Sequence, residues 1–271
     1  MITATHLLRD AARTLPVVEA EYLLEAILQI PRHLLFLDEG PLPASLVARY
    51  RAAVRKAAGG TPVQYLVRSA PFLDLDIYVD RRVLIPRPET EELVLRAVSR
   101  IQHPRLIVDY GTGSGCIATA LARMFPHGRV VAVDSSRTAL QVCRRNVSHY
   151  GLQKRVRLVQ AESLSAPSLR RVAGRVDLLI SNPPYIPSER IPKLSRSVRN
   201  YEPLCALDGG PEGTKILTMI LELGPGLLSR RGLLALEIDS SHHEFIKRQV
   251  PQAVVERDFT GCARYAFIPP P

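Results

Sequence analysis

The stretch Ile180-Ser181-Asn182-Pro183-Pro184-Tyr185-Ile186-Pro187 ends an apolar run, Val176-Asp177-Leu178-Leu179, that reads as a short buried strand. Proline has no backbone donor and stops a strand from continuing. Two in succession fix a rigid, extended exit. The side-chain oxygen of Asn182 and the carbonyl of Pro183 then offer two acceptors at adjacent positions. Such a pair suits a planar NH2 group, whose nitrogen lone pair is delocalised and therefore a poor nucleophile. Accepting both N–H hydrogens raises the electron density on nitrogen and aims its lone pair, and preorganised dipoles are the demanding part of such a site. Tyr185 adds a flat face on which a planar group can stack. Positioning alone supplies roughly 7–11 kcal/mol of a two-reactant barrier. Asn182, Pro183 and Tyr185 are thus the candidate catalytic residues, with Pro184 beside them on the substrate side. A bare Pro-Pro is otherwise only a stiff loop, so the electrophile must be sought elsewhere in the chain.

Leu106-Ile107-Val108-Asp109-Tyr110-Gly111-Thr112-Gly113-Ser114-Gly115-Cys116-Ile117 reads as a strand, a glycine-rich turn and a helix start. Glycines permit positive φ and let a ligand approach bare backbone. A second strand ends at Val131-Ala132-Val133-Asp134, and a carboxylate there can accept both hydroxyl hydrogens of a ribose. A dinucleotide motif of the form Gly-x-Gly-x-x-Gly needs its third glycine at position 116, which is Cys116. The spacing is instead Asp-x-Gly-x-Gly-x-Gly, with Asp109 inside it. A pyrophosphate wants the helix N-terminus free of acid. S-adenosylmethionine carries no phosphate, and an acid near its positively charged methionine end is welcome. The candidate cofactor residues are Asp109, Gly111, Thr112, Gly113, Ser114, Gly115 and Asp134, with Asn182 on the same rim, and the cofactor favoured over a dinucleotide is S-adenosylmethionine.

These residues need a scaffold. Residues 1–60 carry apolar residues at helical spacing, such as Leu7, Leu8, Ala11 and Leu15, then Ala20, Leu23, Leu24, Ile27 and Leu28, ending at Gly59-Gly60. Within 71–85 apolar and polar residues alternate, which predicts a hairpin. From Glu89 onward helices and strands alternate: strands at Leu106–Asp109, Arg129–Asp134, Val156–Gln160, Val176–Ser181 and Gly232–Glu237, and helices over 91–101, Gly115–Phe125, about Arg137–His149 and Gly213–Leu223. Alternation of this kind predicts a parallel α/β sheet with helices on both faces. The expected organisation is a helical domain over 1–70 that binds the partner, a β-hairpin linker over 71–86 and a catalytic domain over 87–271.

Composition narrows the class. The 271 residues are 46% hydrophobic and 23% charged, with a formal net charge of +10, and the basic excess lies after residue 81. No apolar run approaches the ~20 residues of a membrane span. The N-terminus lacks the pattern of a secretion signal. Cys116, Cys143, Cys205 and Cys262 are far apart and form no C-x-x-C pair, so no metal is expected and the thiols read as core or partly buried residues of a reduced, cytoplasmic protein. Adjacent histidines in a helix point to different faces, so His242-His243 reads as surface rather than as a metal pair. Arg190, Lys193, Arg196 and Arg199 follow the Asn-Pro-Pro-Tyr loop and are placed to meet an acidic protein surface.

Asn-Pro-Pro-Tyr downstream of this glycine-rich turn is similar to the amino-methyltransferases, which modify a nucleobase amine or a glutamine side-chain amide. Three further segments resemble one branch: Pro62-Val63-Gln64-Tyr65-Leu66, Ile85-Pro86-Arg87-Pro88-Glu89-Thr90-Glu91, and Glu202-Pro203 followed by Ala206-Leu207-Asp208-Gly209-Gly210 and Gly213. Together they closely resemble the release factor glutamine methyltransferases, also called HemK or PrmC, over essentially the whole chain. The resemblance implies a Rossmann-like class I S-adenosylmethionine-dependent methyltransferase domain. It implies methylation of the glutamine in the Gly-Gly-Gln tip of class-1 peptide-chain release factors, leaving S-adenosylhomocysteine. It places Arg87, Pro88 and Thr90 in the same pocket and Glu162 near the adenine. Where the family often has an aromatic residue after that acid this chain has Ser163, which leaves Leu164 to cover the ring. A second departure is Glu237-Ile238-Asp239, where the family more often has glycine in place of Asp239. A ribosomal-protein glutamine methyltransferase, an adenine or cytosine amino-methyltransferase acting on nucleic acid, and a cofactor-binding scaffold without catalysis are the competing readings. No extra target-recognition domain is evident, so a monomer without stable nucleic-acid binding is expected.

Overall fold

The computed structural model describes residues 2–37 and 40–270. The chain forms two compact units, one of Met1–Ser69 with Ser195–Tyr201, the other of Ala70–Leu194 with Glu202–Pro271.

The first unit is helical: α1 (Ala4–Ala11), α2 (Val17–Leu28), α3 (Ala44–Ala58) and α4 (Val63–Val67). Thr3 caps α1 by accepting from the His6 amide. Pro16, Pro43 and Pro62 precede the other three helices, where the missing donor costs nothing. The apolar residues at helical spacing converge as one core of Leu7, Leu23, Leu24, Leu35 and Tyr50. The Tyr50 hydroxyl is satisfied there by donating to the Ala20 carbonyl at 3.1 Å.

The second unit begins with β1 (Ala70–Phe72) and β2 (Leu75–Ile77), an antiparallel pair. This pairing is shorter than the alternation over 71–85 predicts, and Leu73 sits in the turn at φ +55° instead of on a strand face. Side chains take over where a ladder would have continued. Tyr150 both donates to and accepts from the Asp76 backbone, and Asn146 does the same for Tyr78. Tyr150 thus satisfies the outer edge of β2 at Asp76, and beyond Ile77 the Tyr78 backbone needs no partner strand because Asn146 satisfies it.

The helix α5 (Pro88–Arg100) leads into β3 (Leu106–Tyr110), α6 (Cys116–Met124), β4 (Arg129–Asp134), α7 (Arg137–His149), β5 (Val156–Gln160) and β6 (Val176–Ser181). After α8 (Arg196–Tyr201), which belongs to the first unit, come α9 (Lys215–Leu223), β7 (Leu228–Glu237), α10 (His243–Gln249), β8 (Val254–Arg257) and β9 (Ala263–Ile268). The sheet order is β5-β4-β3-β6-β7-β9-β8. The first five strands are parallel, and β9 runs antiparallel between β7 and β8. The sheet is therefore mixed where a parallel one was expected. The crossover through α10 lays β8 at the sheet edge in the direction of β7, and the tight β8–β9 connection then returns β9 antiparallel between them. The predicted helix at Gly213 begins at Lys215, because Gly213 holds φ +74°.

The sheet reverses direction of growth at β3, which has β4 on one side and β6 on the other. Asp109 is level with Ala132 and with Ile180, so the turn after β3 lies between the ends of β4 and β6. Gly115 sets how closely α7 approaches that turn. It has φ +80°, and a Cβ there would stand 2.5 Å from the Cys143 sulfur. Gly115→Ala therefore adds both a strained backbone and an overlap, and is expected to cost about 2–4 kcal/mol. Urea unfolding of the purified variant against wild type measures this loss.

Candidate active site

The carboxyl ends of β3, β4 and β6 border an open cleft with a cavity volume of about 140 Å³. Ligands of open α/β sheets bind at such a switch point. Of the residues expected from sequence, Gly111, Gly113, Asp134, Asn182 and Pro184 line it. Asp134 is half-buried at the end of β4. Its Oδ2 accepts from the Gly113 amide at 2.9 Å and its Oδ1 from the Ser136 amide at 2.8 Å. Each oxygen keeps a free lone pair toward the cleft. Burial holds the pKa of this carboxyl above its ordinary value in spite of those two bonds. A ribose diol would supply the further donors that such an anion lacks, so the residues present fit S-adenosylmethionine.

The other residues of the glycine motif lie beneath the turn instead of on the cleft. Asp109 is fully buried, with Oδ2 accepting from the Thr112 hydroxyl at 2.5 Å and the Ala118 amide at 3.1 Å. Its Oδ1 has no partner among the described residues. Burial pushes the Asp109 carboxyl up to about 7 against those two bonds. Thr112 and Ser114 are buried too, and the Ser114 carbonyl is held by Asn146. These residues and Gly115 shape the turn from below.

Asn182 is braced from behind. Its Nδ2 donates to the Thr90 hydroxyl oxygen at 2.9 Å, and that hydroxyl donates to Glu237 Oε2 at 2.7 Å. Tyr185 donates its phenol to the other Glu237 oxygen at 2.9 Å. Thr90 enters from α5, Glu237 from the end of β7, and both are buried. The Asn182 Oδ1 and the Pro183 carbonyl accept no hydrogen bond from the described residues. Thr90 thus serves Asn182 directly and is not a cleft residue.

Arg87, Pro88, Glu162 and Ser163 lie outside the cleft lining. Arg87 pairs with the buried Glu202 at 2.5 Å, and Glu202 also accepts from the Ile85 amide. Glu162 is exposed, its carbonyl taken by the Tyr110 hydroxyl at 2.8 Å. Ser163 bonds Ser165. Leu164 is packed in the main core and is not a cover for a ring at the cleft. Ala139 and Ile216, with Ala206 from the covering loop, give the cleft its apolar side. His242 is buried, against the surface reading, because it reaches back to the Glu212 carbonyl at 3.1 Å beside Gly213. Cys205 and Cys262 are exposed, and only Cys116 and Cys143 are core thiols. Arg190 pairs with Asp239 at 3.1 Å, which gives Asp239 a structural partner. Sequence reasoning missed Glu237, and also Tyr110 and Arg82, which line the cleft, the latter paired with Asp80 at 2.6 Å. The first carried a signal, as an acid ending an apolar strand, but nothing in the sequence ties it to Thr90.

Among the described residues no helix is long and apolar enough to cross a membrane, and no three metal-ligating side chains are grouped to hold an ion. Comparison with known proteins agrees with the geometry. Residues 90–193 match the family described as "Methyltransferase small domain" and residues 1–67 the one described as "PrmC N-terminal domain". The curated release factor glutamine methyltransferase of Chlorobaculum tepidum is 43% identical over 82% of this chain and 78% of its own length. That of Moorella thermoacetica is 43% identical over 86% of this chain and 81% of its own. The Homo sapiens protein named MTRF1L release factor glutamine methyltransferase is 36% identical over 76% of this chain and 67% of its own. The chain belongs to the release factor glutamine methyltransferase family. Its fold is Rossmann-like and class I, and its methyl donor is S-adenosylmethionine. The fold is also that of the hMettl16 catalytic domain, solved in complex with a MAT2A 3'UTR hairpin, with a TM-score of 0.58 at 16% identity over 83% of this chain and 79% of that one.

Two outcomes follow. Asp134→Ala removes a charged acceptor from the cleft and is expected to weaken S-adenosylmethionine binding by about 10- to 100-fold, the scale of hydrogen bonds to a charged group, as read by calorimetry. The Asp109 carboxyl titrates near 3.8 when unfolded and at about 7 when folded. The folded state therefore holds this proton over that window, and stability is withdrawn as pH rises through it. Asp109→Asn is expected to flatten the fall in unfolding free energy between pH 4 and 7 by up to about 4 kcal/mol. Urea unfolding of both proteins at a series of pH values checks the difference.

Proposed function

We propose that this chain transfers the methyl group of S-adenosylmethionine to the side-chain amide nitrogen of the glutamine in the Gly-Gly-Gln motif of class-1 peptide-chain release factors. One observation carries the reading. Asn182 has its amide nitrogen committed to Thr90, so its oxygen remains an uncommitted acceptor at the cleft that Asp134 and Gly113 also line, and the carbonyl of the adjacent, buried Pro183 likewise accepts no hydrogen bond from the described residues. The family membership narrows the planar NH2 group to a glutamine amide.

The bound S-adenosylmethionine supplies a methyl group on a sulfonium, ready for displacement. Asp134 would hold its ribose, and Gly111 and Gly113 would let it lie against bare backbone. The two acceptors take the two hydrogens of the substrate amide and turn its lone pair outward. Pro183 within the clamp and Pro184 after it stiffen the backbone, so little reorganisation remains at the moment of reaction. Tyr185, pinned by Glu237, packs beside the amide. The nitrogen becomes positively charged only as the methyl arrives, so its proton is acidic by then and needs no strong base. A protein substrate agrees with the exposed Lys193 of the second unit, whose cation suits an acidic partner surface.

The test is a methyl-transfer assay with labelled S-adenosylmethionine, offered an unmethylated release factor, a ribosomal-protein preparation and bulk DNA. Mass spectrometry then locates the methyl. Label on the Gly-Gly-Gln glutamine is the expected result, and label on DNA with none on the factor overturns the reading. In the same assay Asn182→Ala is expected to lower turnover by about 100-fold or more while cofactor binding persists.

A further inference from the structure

We propose that Glu237 is a positioning residue whose carboxylate, by accepting from both the Thr90 and Tyr185 hydroxyls, fixes which way round the Asn182 amide stands. This rests on the reading that Asn182 Oδ1 accepts from the substrate amide, and it adds what keeps that oxygen there.

An asparagine amide is nearly symmetric in shape, so packing alone does not choose between its oxygen and its nitrogen. Hydrogen-bond polarity does. A threonine hydroxyl has a single proton, and an ionised carboxylate can only accept. The Thr90 proton therefore goes to Glu237 Oε2 at 2.7 Å. What Thr90 has left for Asn182, 2.9 Å away, is a lone pair. Asn182 has to meet it with N–H, which sends Oδ1 to the substrate side. A flipped amide would set two oxygens face to face with no proton between them. That mismatch favours the observed orientation by about 10- to 100-fold. The same carboxylate takes the Tyr185 phenol proton at 2.9 Å and so fixes that ring's edge. One buried anion thus sets the polarity of two residues of the Asn-Pro-Pro-Tyr loop through a chain that joins α5, β7 and the loop.

The surroundings of Glu237 are mixed. Thr90 and Glu89 face it from α5, Tyr185 from the loop, and Arg264 and Tyr265 from β9. Arg264 favours the anion but is itself paired with Asp258 at 3.1 Å. Glu89 and above all burial act the other way, and the Glu237 pKa lies above the ordinary glutamate value. A protonated Glu237 can donate, which frees the Thr90 proton to turn toward Asn182 and releases the amide. Turnover should therefore fall as pH drops through this raised value.

The experiment compares Glu237→Gln, Thr90→Val and Thr90→Ser in the full chain, with an unmethylated release factor as substrate. Glutamine keeps the volume but puts an NH2 group where one of the two carboxylate oxygens stood, so one of the two hydroxyls, which donate to different oxygens, meets a donor instead of its acceptor. Valine keeps the shape of threonine without the hydroxyl, and serine keeps the hydroxyl. The expected result is a 10- to 100-fold loss of kcat for Glu237→Gln and for Thr90→Val, with the S-adenosylmethionine dissociation constant within about 3-fold of wild type. Thr90→Ser should recover most of what Thr90→Val loses, and the Glu237→Gln, Thr90→Val double variant should be little worse than the poorer single one, since both cut one chain. The acid limb of the wild-type kcat profile should be absent in Glu237→Gln. Wild-type kcat and an unchanged acid limb in Glu237→Gln overturn the proposal, as does equal loss in Thr90→Ser and Thr90→Val. Should Glu237→Gln not fold, the valine–serine pair decides alone. Asn182→Ala run beside them separates the two levels. If it is fully active, the amide-clamp reading fails. If it is inactive while Glu237→Gln is fully active, only the positioning role fails.

Discussion

The parallel pairing of β3 with β4 on one side and β6 on the other is the constraint from which the site follows. The two registers put Asp109 level with both Ala132 and Ile180. Strands that are level at that row end together, so the glycine turn, Asp134 and Asn182 emerge side by side. No long loop has to carry a side chain to the cleft. Further bonds lock the row: the Gly111 and Thr112 amides donate to the Val133 carbonyl, and the Ser181 hydroxyl donates to the Tyr110 carbonyl. The turn is thereby tied to β4 and β6 at the point where they diverge.

Three buried acids then define details that the sheet leaves open. Asp109 is local and braces the glycine turn through Thr112 and Ala118. Glu202 ties the segment after α8 to the Ile85 amide and Arg87. Glu237 joins Thr90 to Tyr185. Burial raises the pKa of each. Removing a carboxylate from water is costly even when it is paired, and a well-packed apolar group would often stabilise the fold as well. These acids are better understood as determinants of geometry. Each fixes a hydroxyl, amide or guanidinium that an apolar side chain would leave free to rotate.

Most of the catalytic unit is legible in the sequence because its signals are local. Apolar runs of strand length, glycines at a strand end and an acid at the next strand end need no knowledge of distant contacts, and the bounds of β4, β5, β6 and α7 coincide with those expected from sequence. Departures occur where a distant side chain decides. Asn146 takes the place of a strand partner at Tyr78, just past the end of the hairpin. His242 is buried because the Glu212 carbonyl and Gly213 come to it from another part of the chain. The loop of Glu162 and Ser163 is held by its backbone, through the hydroxyl of the cleft residue Tyr110, a contact that no local pattern announces. The role of Glu237 depends on three separate segments meeting, which periodicity does not report.

In the proposed reading the same loop serves both reactants. Beyond Tyr185 the chain is stitched to the segment that follows Pro203: the Ile186 amide donates to the Leu207 carbonyl, the Gly209 amide to the Ile186 carbonyl and the Ser188 amide to the Gly210 carbonyl. Gly213 lies so close to the Tyr185 carbonyl that any side chain there would collide with it. That segment also brings Ala206 and Ile216 to the apolar side of the cleft. Asn182, Pro183 and the apolar side of the cleft are therefore parts of one cross-linked body. A displacement of that side would carry the acceptors with it. Orientation between donor and acceptor is the main thing such a site supplies to a weak nucleophile, and a shared body preserves that orientation more reliably than two independent loops would.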